Sequence, residues 1–329
     1  MNNSIDGISE TESGNMPLVT VITPAYNREA LIEETILSVL KQDYPNIEYI
    51  VLDDGSTDNT LQIIKKHQDK LRWVTHENLG ETRTVNKGFS MARGEIIGVV
   101  NSDDPLLPGA VSKLVETLVK NSGVVVVYPD WEMIDERGRV IQTMRSYDFT
   151  SYADMVRKHF CLPGPGAFFR REMVEKIGGR DPEFRYVADL EFWFRAGILG
   201  SFMRVPEVLA TFRVHAGSAT VSQRGSLMAV EHVALIEKLY SLPEIPESAQ
   251  AVKKEALSSA FFVAGANLNK GAFFDKVKYF SKAIYLCPHK YFWEYKRRIL
   301  MMVLLLLGIP GDRAYNFLIR FRRNKLPVW

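Results

Sequence analysis

The sequence predicts an α/β fold with a doubly wound, mostly parallel sheet, followed by a C-terminal helical extension. Three observations carry that reading. Short aliphatic or β-branched runs alternate with helical patterning for about a hundred residues from Pro17, as successive βα units do. Acidic pairs stand directly after two of the runs, at Asp53-Asp54 and Asp103-Asp104, the end of a parallel sheet where ligands sit. Beyond about Gln223 the strand signals stop and helix follows helix.

Each element has its own reason. Residues 1–16 are polar, without a basic n-region or an apolar h-region, and read as a disordered terminus rather than a signal peptide. Leu18 to Thr23 is a β-branched run expected to stop at Pro24. Residues 28–41 place Ala30, Leu31, Thr35, Ile36, Val39 and Leu40 on one helical face. A second strand, Ile47 to Leu52, runs into Asp53-Asp54-Gly55-Ser56-Thr57-Asp58, with a helix after it. A strand near 71–75, a helix near 81–92 and a strand Ile96–Val100 complete the alternation. Val124–Val127 leads into a hairpin turning at Arg137-Gly138. The run Leu162-Pro163-Gly164-Pro165-Gly166 is too rich in Pro and Gly for regular structure. Asp189–Leu199 reads as a helix, and Phe202–Val214 as one or two short strands. The expected division is therefore a disordered 1–16, an α/β domain over 17–222, and a helical region over 223–329.

Composition narrows the class. With 329 residues, 46% hydrophobic and 24% charged, the chain is neither disordered, collagenous nor a multi-span membrane protein. Two cysteines, Cys161 and Cys287, make no disulfide framework and show no metal spacing, which fits a reducing, cytoplasmic setting. The net charge of +2 conceals an asymmetry: residues 291–329 hold eight Lys/Arg and two Asp/Glu, leaving the rest of the chain at −4. Within that tail, Ile299–Ile309 is apolar throughout and ends at Pro310. At about 1.5 Å per residue it reaches about 16 Å, short of the ~30 Å hydrocarbon core, so it does not span a bilayer. Lys296-Arg297-Arg298 and Arg320, Arg322, Arg323 and Lys325 flank it, with Tyr291, Phe292, Trp293, Tyr295, Phe317, Phe321 and Trp329 interleaved. That pattern suits a helix lying on an anionic inner-membrane surface; the alternative is a helix packed on the body or in a homodimer. No nucleic-acid motif accompanies the basic residues.

Four groups of residues could carry chemistry. Asp53-Asp54-Gly55 is either a strand-ending turn or a base-binding site in which Asp54 accepts a nucleobase N–H. Pro24-Ala25-Tyr26-Asn27 stands where a Gly-rich phosphate loop would otherwise be, and the Tyr26 ring could stack on a base. Asp103 and Asp104 repel one another, and Pro105 keeps Asp104 out of a helix. A divalent cation, Mg²⁺ or Mn²⁺, would relieve the repulsion, whereas the plain alternative is an acidic turn capping the helix near 109–120. Asp189 is either a first-turn helix acid or a general base for a hydroxyl, with Glu191 as a secondary candidate. His215, in Arg213-Val214-His215, matters only as a third ligand beside the Asp103/Asp104 pair. No Gly-x-Ser-x-Gly, His-Glu-x-x-His or Cys-x-x-Cys setting occurs, so hydrolytic and thiol mechanisms lose support.

Read together, these segments resemble a family-2 glycosyltransferase of the GT-A type. The opening Pro17-Leu-Val-Thr-Val-Ile-Thr-Pro-Ala-Tyr-Asn27, then Ser38-Val-Leu-Lys-Gln42 and Val51-Leu-Asp-Asp-Gly-Ser-Thr-Asp58, follow the family pattern. Asn86-Lys87-Gly88-Phe89, Gly94-Glu95, Asn101-Ser102-Asp103-Asp104, Pro108-Gly109, Phe168 to Arg171, Gly178-Gly179, Asp189 to Arg195 and Arg213-Val214-His215 continue it in order, over about two-thirds of the chain. The resemblance implies that Pro24, Tyr26, Asn27, Asp54 and Asp103 hold the donor nucleotide. It also implies that Asp103, Asp104 and His215 serve a divalent metal, and that Asp189 is the base of an inverting transfer. Trp131, Gly164, Gly166, Glu191 and Trp193 are placed on the acceptor side, with core packing the alternative for the two tryptophans. Asn101 stands where the family most often has an acid, and Ala188 where a Glu often precedes the base. No Gln-x-x-Arg-Trp motif of processive synthases occurs, so single-sugar transfer is expected.

The resemblance thus implies transfer from a nucleotide-diphospho-sugar, a UDP-sugar foremost, to a saccharide or lipid-linked acceptor in bacterial surface-polysaccharide synthesis. The competing readings are a nucleotidyltransferase, which should carry a basic Gly-rich loop after the first strand, and a catalytically inactive nucleotide-sugar-binding protein, which should have lost its acids. Neither condition holds.

Overall fold

The computed structural model describes residues 16–161, 163–215, 225–268, 272–288 and 296–309. The disordered terminus expected before residue 16 and the tail beyond 309 lie outside them. Eight strands form one sheet: β1 (Val19–Ala25), β2 (Ile47–Asp53), β3 (Arg72–Thr75), β4 (Ile96–Val99), β5 (Val124–Ile134), β6 (Val140–Met144), β7 (Phe168–Arg170) and β8 (Ser201–Arg213). Their order is β3-β2-β1-β4-β7-β5-β6, with β8 paired to β5. The β3-β2-β1-β4 half is parallel; β7 runs antiparallel to β4 and β5, and β8 parallel to β5.

The helices between the strands are α1 (Ile32–Leu40), α2 (Thr60–Lys65), α3 (Glu81–Met91), α4 (Ala110–Lys120), α5 (Tyr152–Lys158), α6 (Arg171–Ile177) and α7 (Ala188–Leu199). Strand side chains alternate between two cores. Val19, Val21 and Val51 join α1 and α4 on one face, while Ile22, Ile50 and Leu52 join α3 and α7 on the other. Gly88 of α3 lets that helix lie against β1, since a Cβ there would stand 2.5 Å from Ile22 Cγ2.

Two strand boundaries differ from expectation. β1 does not stop at Pro24: Pro24 pairs with Leu52 and Ala25 with Asp53. Pairing with β4 ends at Ile22, so the N–H that proline lacks would have pointed past the end of that ladder and its absence breaks nothing. The stretch 201–213, expected as one or two short strands, is a single 13-residue strand, its irregularity absorbed by register shifts against β5 around Pro129-Asp130-Trp131.

Beyond the sheet lie α8 (Gly225–Leu239), α9 (Glu247–Gln250), α10 (Lys253–Asn267), α11 (Phe273–Leu286) and α12 (Lys296–Leu306). Leu235, Ile236, Leu239, Tyr240, Ala256 and Ala260 share one core with α5 and α7, so the first of these helices continue the α/β body. Apolar area of that kind stabilises at roughly 25 cal/mol per Å² buried. In α12, Met301, Met302, Leu304 and Leu305 pack with Phe262, Phe280 and Ala283, whereas Leu300, Val303 and Leu307 just beyond its end face outward. No helix among the described residues is long and apolar enough to cross a membrane.

Candidate active site

The carboxyl ends of β2, β1 and β4 lie side by side, and the loops leaving them meet. Asn27 follows β1 in the left-handed region at φ 51°, which asparagine tolerates because its short amide bonds locally. Its Oδ1 accepts the Thr57 N–H at 2.8 Å, its own N–H donates to Ser56 Oγ at 3.0 Å, and the Arg28 N–H donates to Thr60 Oγ1 at 2.7 Å. Asn27 therefore fastens the first loop to the second, and the Tyr26 ring beside it stays 44% exposed, open for stacking. Gly55, at φ 76°, turns against backbone on both sides; a Cβ would lie 2.9 Å from Asn78 N and 3.0 Å from His76 O. Asp54 is buried, and its oxygens accept the N–H groups of Leu79 at 2.7 Å and Gly80 at 3.0 Å. A carboxylate offers about four lone-pair sites, so capacity for a base N–H remains.

The acids after β4 do different jobs. Asp103 Oδ2 lies 2.9 Å from His215 Nε2 and 3.5 Å from Arg28 Nε. Asp104 turns inward: Oδ1 accepts the Arg213 N–H at 2.8 Å and Oδ2 accepts the Asn101 amide at 2.9 Å. Burial, then the neighbouring Asp103 charge, pushes the Asp104 carboxyl upward against those two hydrogen bonds. Asp104 thus ties β8 to the segment after β4, and it does not cap α4, whose N-cap is Gly109.

The residues present fit a divalent cation of the Mg²⁺ or Mn²⁺ kind. Such ions are commonly bound by one or two carboxylates plus substrate phosphates and water, without an all-protein cage. Asp103 and His215 supply an oxygen and a nitrogen at contact distance of one another. Accordingly, no group of three His, Cys, Asp or Glu side chains able to hold a metal occurs among the described residues.

Asp189 lies in the first turn of α7, exposed, with its Oδ1 accepting the Leu190 N–H at 2.7 Å. The Pro/Gly loop follows the exposed Cys161. That loop packs on β5 and β8: a Cβ on Gly164 would stand 2.9 Å from Trp131 Nε1, and one on Gly166 2.6 Å from Ala210 Cβ. Trp131 and Gly164 are therefore in contact, while Gly166 is buried against Ala210, Pro129 and Leu106. Trp193 and Glu191 lie elsewhere. Trp193 is buried among Phe169, Phe192 and Phe202, so core packing accounts for it. Glu191 is buried and ion-paired to Arg195, on a 380 Å³ cavity between α7 and α8.

The profile of the Glycosyl transferase family 2 matches residues 20–178. An uncharacterized glycosyltransferase of Nostoc sp. is 31% identical over 230 residues, covering 64% of this chain and 71% of its own length. The chain belongs to glycosyltransferase family 2. A Campylobacter jejuni relative named GalNAc(5)-diNAcBac-PP-undecaprenol β-1,3-glucosyltransferase is 26% identical over 321 residues, 93% of this chain and 98% of that one. The GT-A fold agrees with solved structures. S. aureus TarS 1-349 in complex with UDP-GlcNAc superposes with a TM-score of 0.65 at 18% identity, over 94% and 93% of the two chains. The Pyrobaculum calidifontis mannosyltransferase in complex with GDP-Man and Mn²⁺ gives 0.61 at 18% identity, over 92% and 88%.

Within this glycosyltransferase two arginines stand out that sequence reasoning passed over as candidate site residues. Arg28 brings a cation to Asp103. Arg213 is buried and ties four segments together, donating to Asp103 O at 3.0 Å, Asp135 O at 3.1 Å, Glu136 O at 3.2 Å and Glu34 Oε2 at 2.6 Å. Arg28 could have been suspected as the one cation directly after the Pro-Ala-Tyr-Asn loop, and Arg213 as the first residue of the Arg213-Val214-His215 segment.

Proposed function

We propose that this enzyme transfers one sugar, with inversion, from a nucleotide-diphospho-sugar to a hydroxyl of a lipid-linked saccharide in bacterial surface-polysaccharide synthesis. The observation that carries the reading is the Asp103–His215 pair flanked by Arg28, set where the carboxyl ends of β1, β2 and β4 meet. The acceptor class is supported by the Campylobacter relative, whose name specifies an undecaprenol-linked acceptor and which aligns along nearly all of both chains. A UDP-sugar is the first donor to test, given the UDP-GlcNAc complex of the TarS neighbour.

In this reading the exposed Tyr26 ring stacks on the donor base and Asp54 accepts a base N–H. Arg28 faces the diphosphate, and Asp103 with His215 would hold a divalent cation. When bound, such a cation would offset charge on the departing diphosphate, a term of several kcal/mol. Asp189 takes the proton of the acceptor hydroxyl as that oxygen attacks the anomeric carbon, a contribution of about 10²–10⁴ in rate. The bond from carbon to the diphosphate oxygen breaks, and its electron pair leaves with the nucleoside diphosphate. A single in-line displacement needs no enzyme nucleophile. Trp131 beside Gly164 offers a face for the acceptor sugar. The outward Leu300, Val303 and Leu307, next to the basic tail, suit contact with an anionic membrane surface.

The reading is tested with a panel of nucleotide sugars and Mn²⁺, following released nucleoside diphosphate, with Asp189→Asn as control. Wild-type turnover by Asp189→Asn removes the base assignment, and EDTA-insensitive transfer removes the metal from Asp103 and His215. Equal flotation with anionic liposomes by the protein and by a Leu300→Glu/Val303→Glu/Leu307→Glu variant removes the membrane role of that face.

A further inference from the structure

Helix α7 begins without a cap of its own. Its N-cap residue, Val187, carries no side-chain oxygen, and no side-chain cap hydrogen bond is made there. The first N–H groups of a helix need partners from outside the helix when no cap supplies them. Here α8 supplies a partner for the N-cap amide of Val187 and for the two amides that lead into it. The Glu231 carboxylate accepts the Tyr186 N–H at 2.7 Å and the Val187 N–H at 3.2 Å on Oε2, and the Arg185 N–H at 3.1 Å on Oε1. Three consecutive amides, two to four residues ahead of Asp189, thus converge on one side chain that lies 44 to 46 positions later in the chain.

Two turns further along α8, Lys238 reaches the same segment, with Nζ 2.5 Å from both Asp181 Oδ2 and Glu183 Oε2. The segment is closed from the other side by Asn86 of α3, whose Oδ1 accepts the Arg180 N–H and whose Nδ2 donates to Arg180 O, each at 2.7 Å. Of these groups Glu231 alone meets the residues that set the entry of α7. An anion at a helix N-terminus is favoured by the helix dipole, and hydrogen bonds to a charged acceptor are roughly twice as strong as neutral ones.

We propose that Glu231 is a positioning residue for Asp189: it fixes the first turn of α7 and with it the direction of the carboxylate that takes the acceptor proton. The inference rests on the reading of Asp189 as the base. It gives α8, which lies outside the span of the family profile, a part in the chemistry rather than in packing alone. A misplacement of about 1 Å in a reacting group can lower a rate about 100-fold, so the clamp matters to kcat more than to donor affinity.

The test uses the full-length protein with Mn²⁺ and UDP-GlcNAc, UDP-glucose or GDP-mannose, whichever is turned over, with water as acceptor. Four proteins are compared: wild type, Glu231→Ala, Asp189→Asn and the double variant. Glu231→Gln, which keeps one acceptor oxygen, stands in should Glu231→Ala fold poorly. Hydrogen exchange is followed in peptides covering residues 184–190 and, as a reference, 47–53. The expected result for Glu231→Ala is faster exchange confined to 184–190, unchanged affinity for UDP with Mn²⁺, and kcat lowered about 10- to 100-fold. Glu231→Gln falls between it and wild type, and the double variant is no slower than Asp189→Asn.

Wild-type exchange and kcat in Glu231→Ala overturn the proposal. So does a loss that multiplies that of Asp189→Asn, because Glu231 would then act independently of the base. Wild-type turnover by Asp189→Asn overturns the base reading itself. That outcome is distinct from failure of Glu231 alone, in which Asp189→Asn is slow and Glu231→Ala is not. If none of the three donors is turned over, unchanged exchange across 184–190 in both Glu231 variants still refutes the clamp.

Discussion

His215 Nε2 lies 2.9 Å from Asp103 Oδ2, joining two positions 112 residues apart in the chain. The contact exists because the end of β8 folds back along the segment after β4. Thr211 Oγ1 donates to Pro105 O at 2.7 Å, the Leu107 N–H donates to Leu209 O at 3.0 Å, and the Arg213 N–H reaches Asp104. Asp103→Asn should therefore remove turnover by at least about 100-fold, as loss of a charge-stabilising group does. His215→Ala should cost about 10- to 100-fold. Nucleoside diphosphate release, with circular dichroism to confirm folding, checks both.

Asn101 occupies the position at which the family usually has an acid, and its amide donates to the buried Asp104. Asn101→Asp replaces that donor with a second negative charge against Asp104. It should lower stability by about 1–3 kcal/mol and leave turnover in the presence of Mn²⁺ no higher. Urea unfolding alongside the release assay decides this; a more active Asn101→Asp protein would show the departure to be a handicap instead.

Gly55 combines a left-handed φ of 76° with backbone atoms 2.9 and 3.0 Å from where a Cβ would stand. Gly55→Ala should destabilise by about 2–3 kcal/mol, from the conformational penalty and the contact together. Because the turn carries Asp54, donor affinity should fall as well. Thermal unfolding and titration with UDP and Mn²⁺ measure the two effects.

His232 of α8 is buried between His159, whose Nε2 is 2.9 Å from its Nδ1, and Asn267, whose Nδ2 is 3.1 Å from its Nε2. Burial lowers its pKa from 6.5 to about 4. The unfolded chain thus takes up a proton before the folded one does. Stability should be complete above about pH 6.5 and fall as the pH drops toward 4, by up to about 3 kcal/mol over that window. Denaturant midpoints between pH 4 and 7 test the slope, and His232→Gln should flatten it.

The strand runs, the turn acids and the order of the family segments were legible because they are local: β-branched runs, Pro and Gly punctuation, and Asp pairs lie within a few residues of one another. That legibility reached the sheet, the Tyr26, Asp54 and Asp103 loops and the helix bearing Asp189. It did not reach the difference between Asp103 and Asp104, which are adjacent in sequence but take different partners, His215 and Arg28 for the first and Arg213 and Asn101 for the second. For Trp193 the sequence offered core packing beside an acceptor role, and the rings of Phe169, Phe192 and Phe202 around it decide for the core.

By itself the sequence determined the class of chemistry, because residue types and their short spacings decide which protons, bases and charges can be handled. The tertiary structure alone decided which of those residues share a site. Those pairings, Asp103 with His215, Asp104 with Arg213 and Glu231 with the entry to α7, cross long stretches of chain, and it is the pairing of β8 with β5 and the packing of α8 on α7 that bring them together.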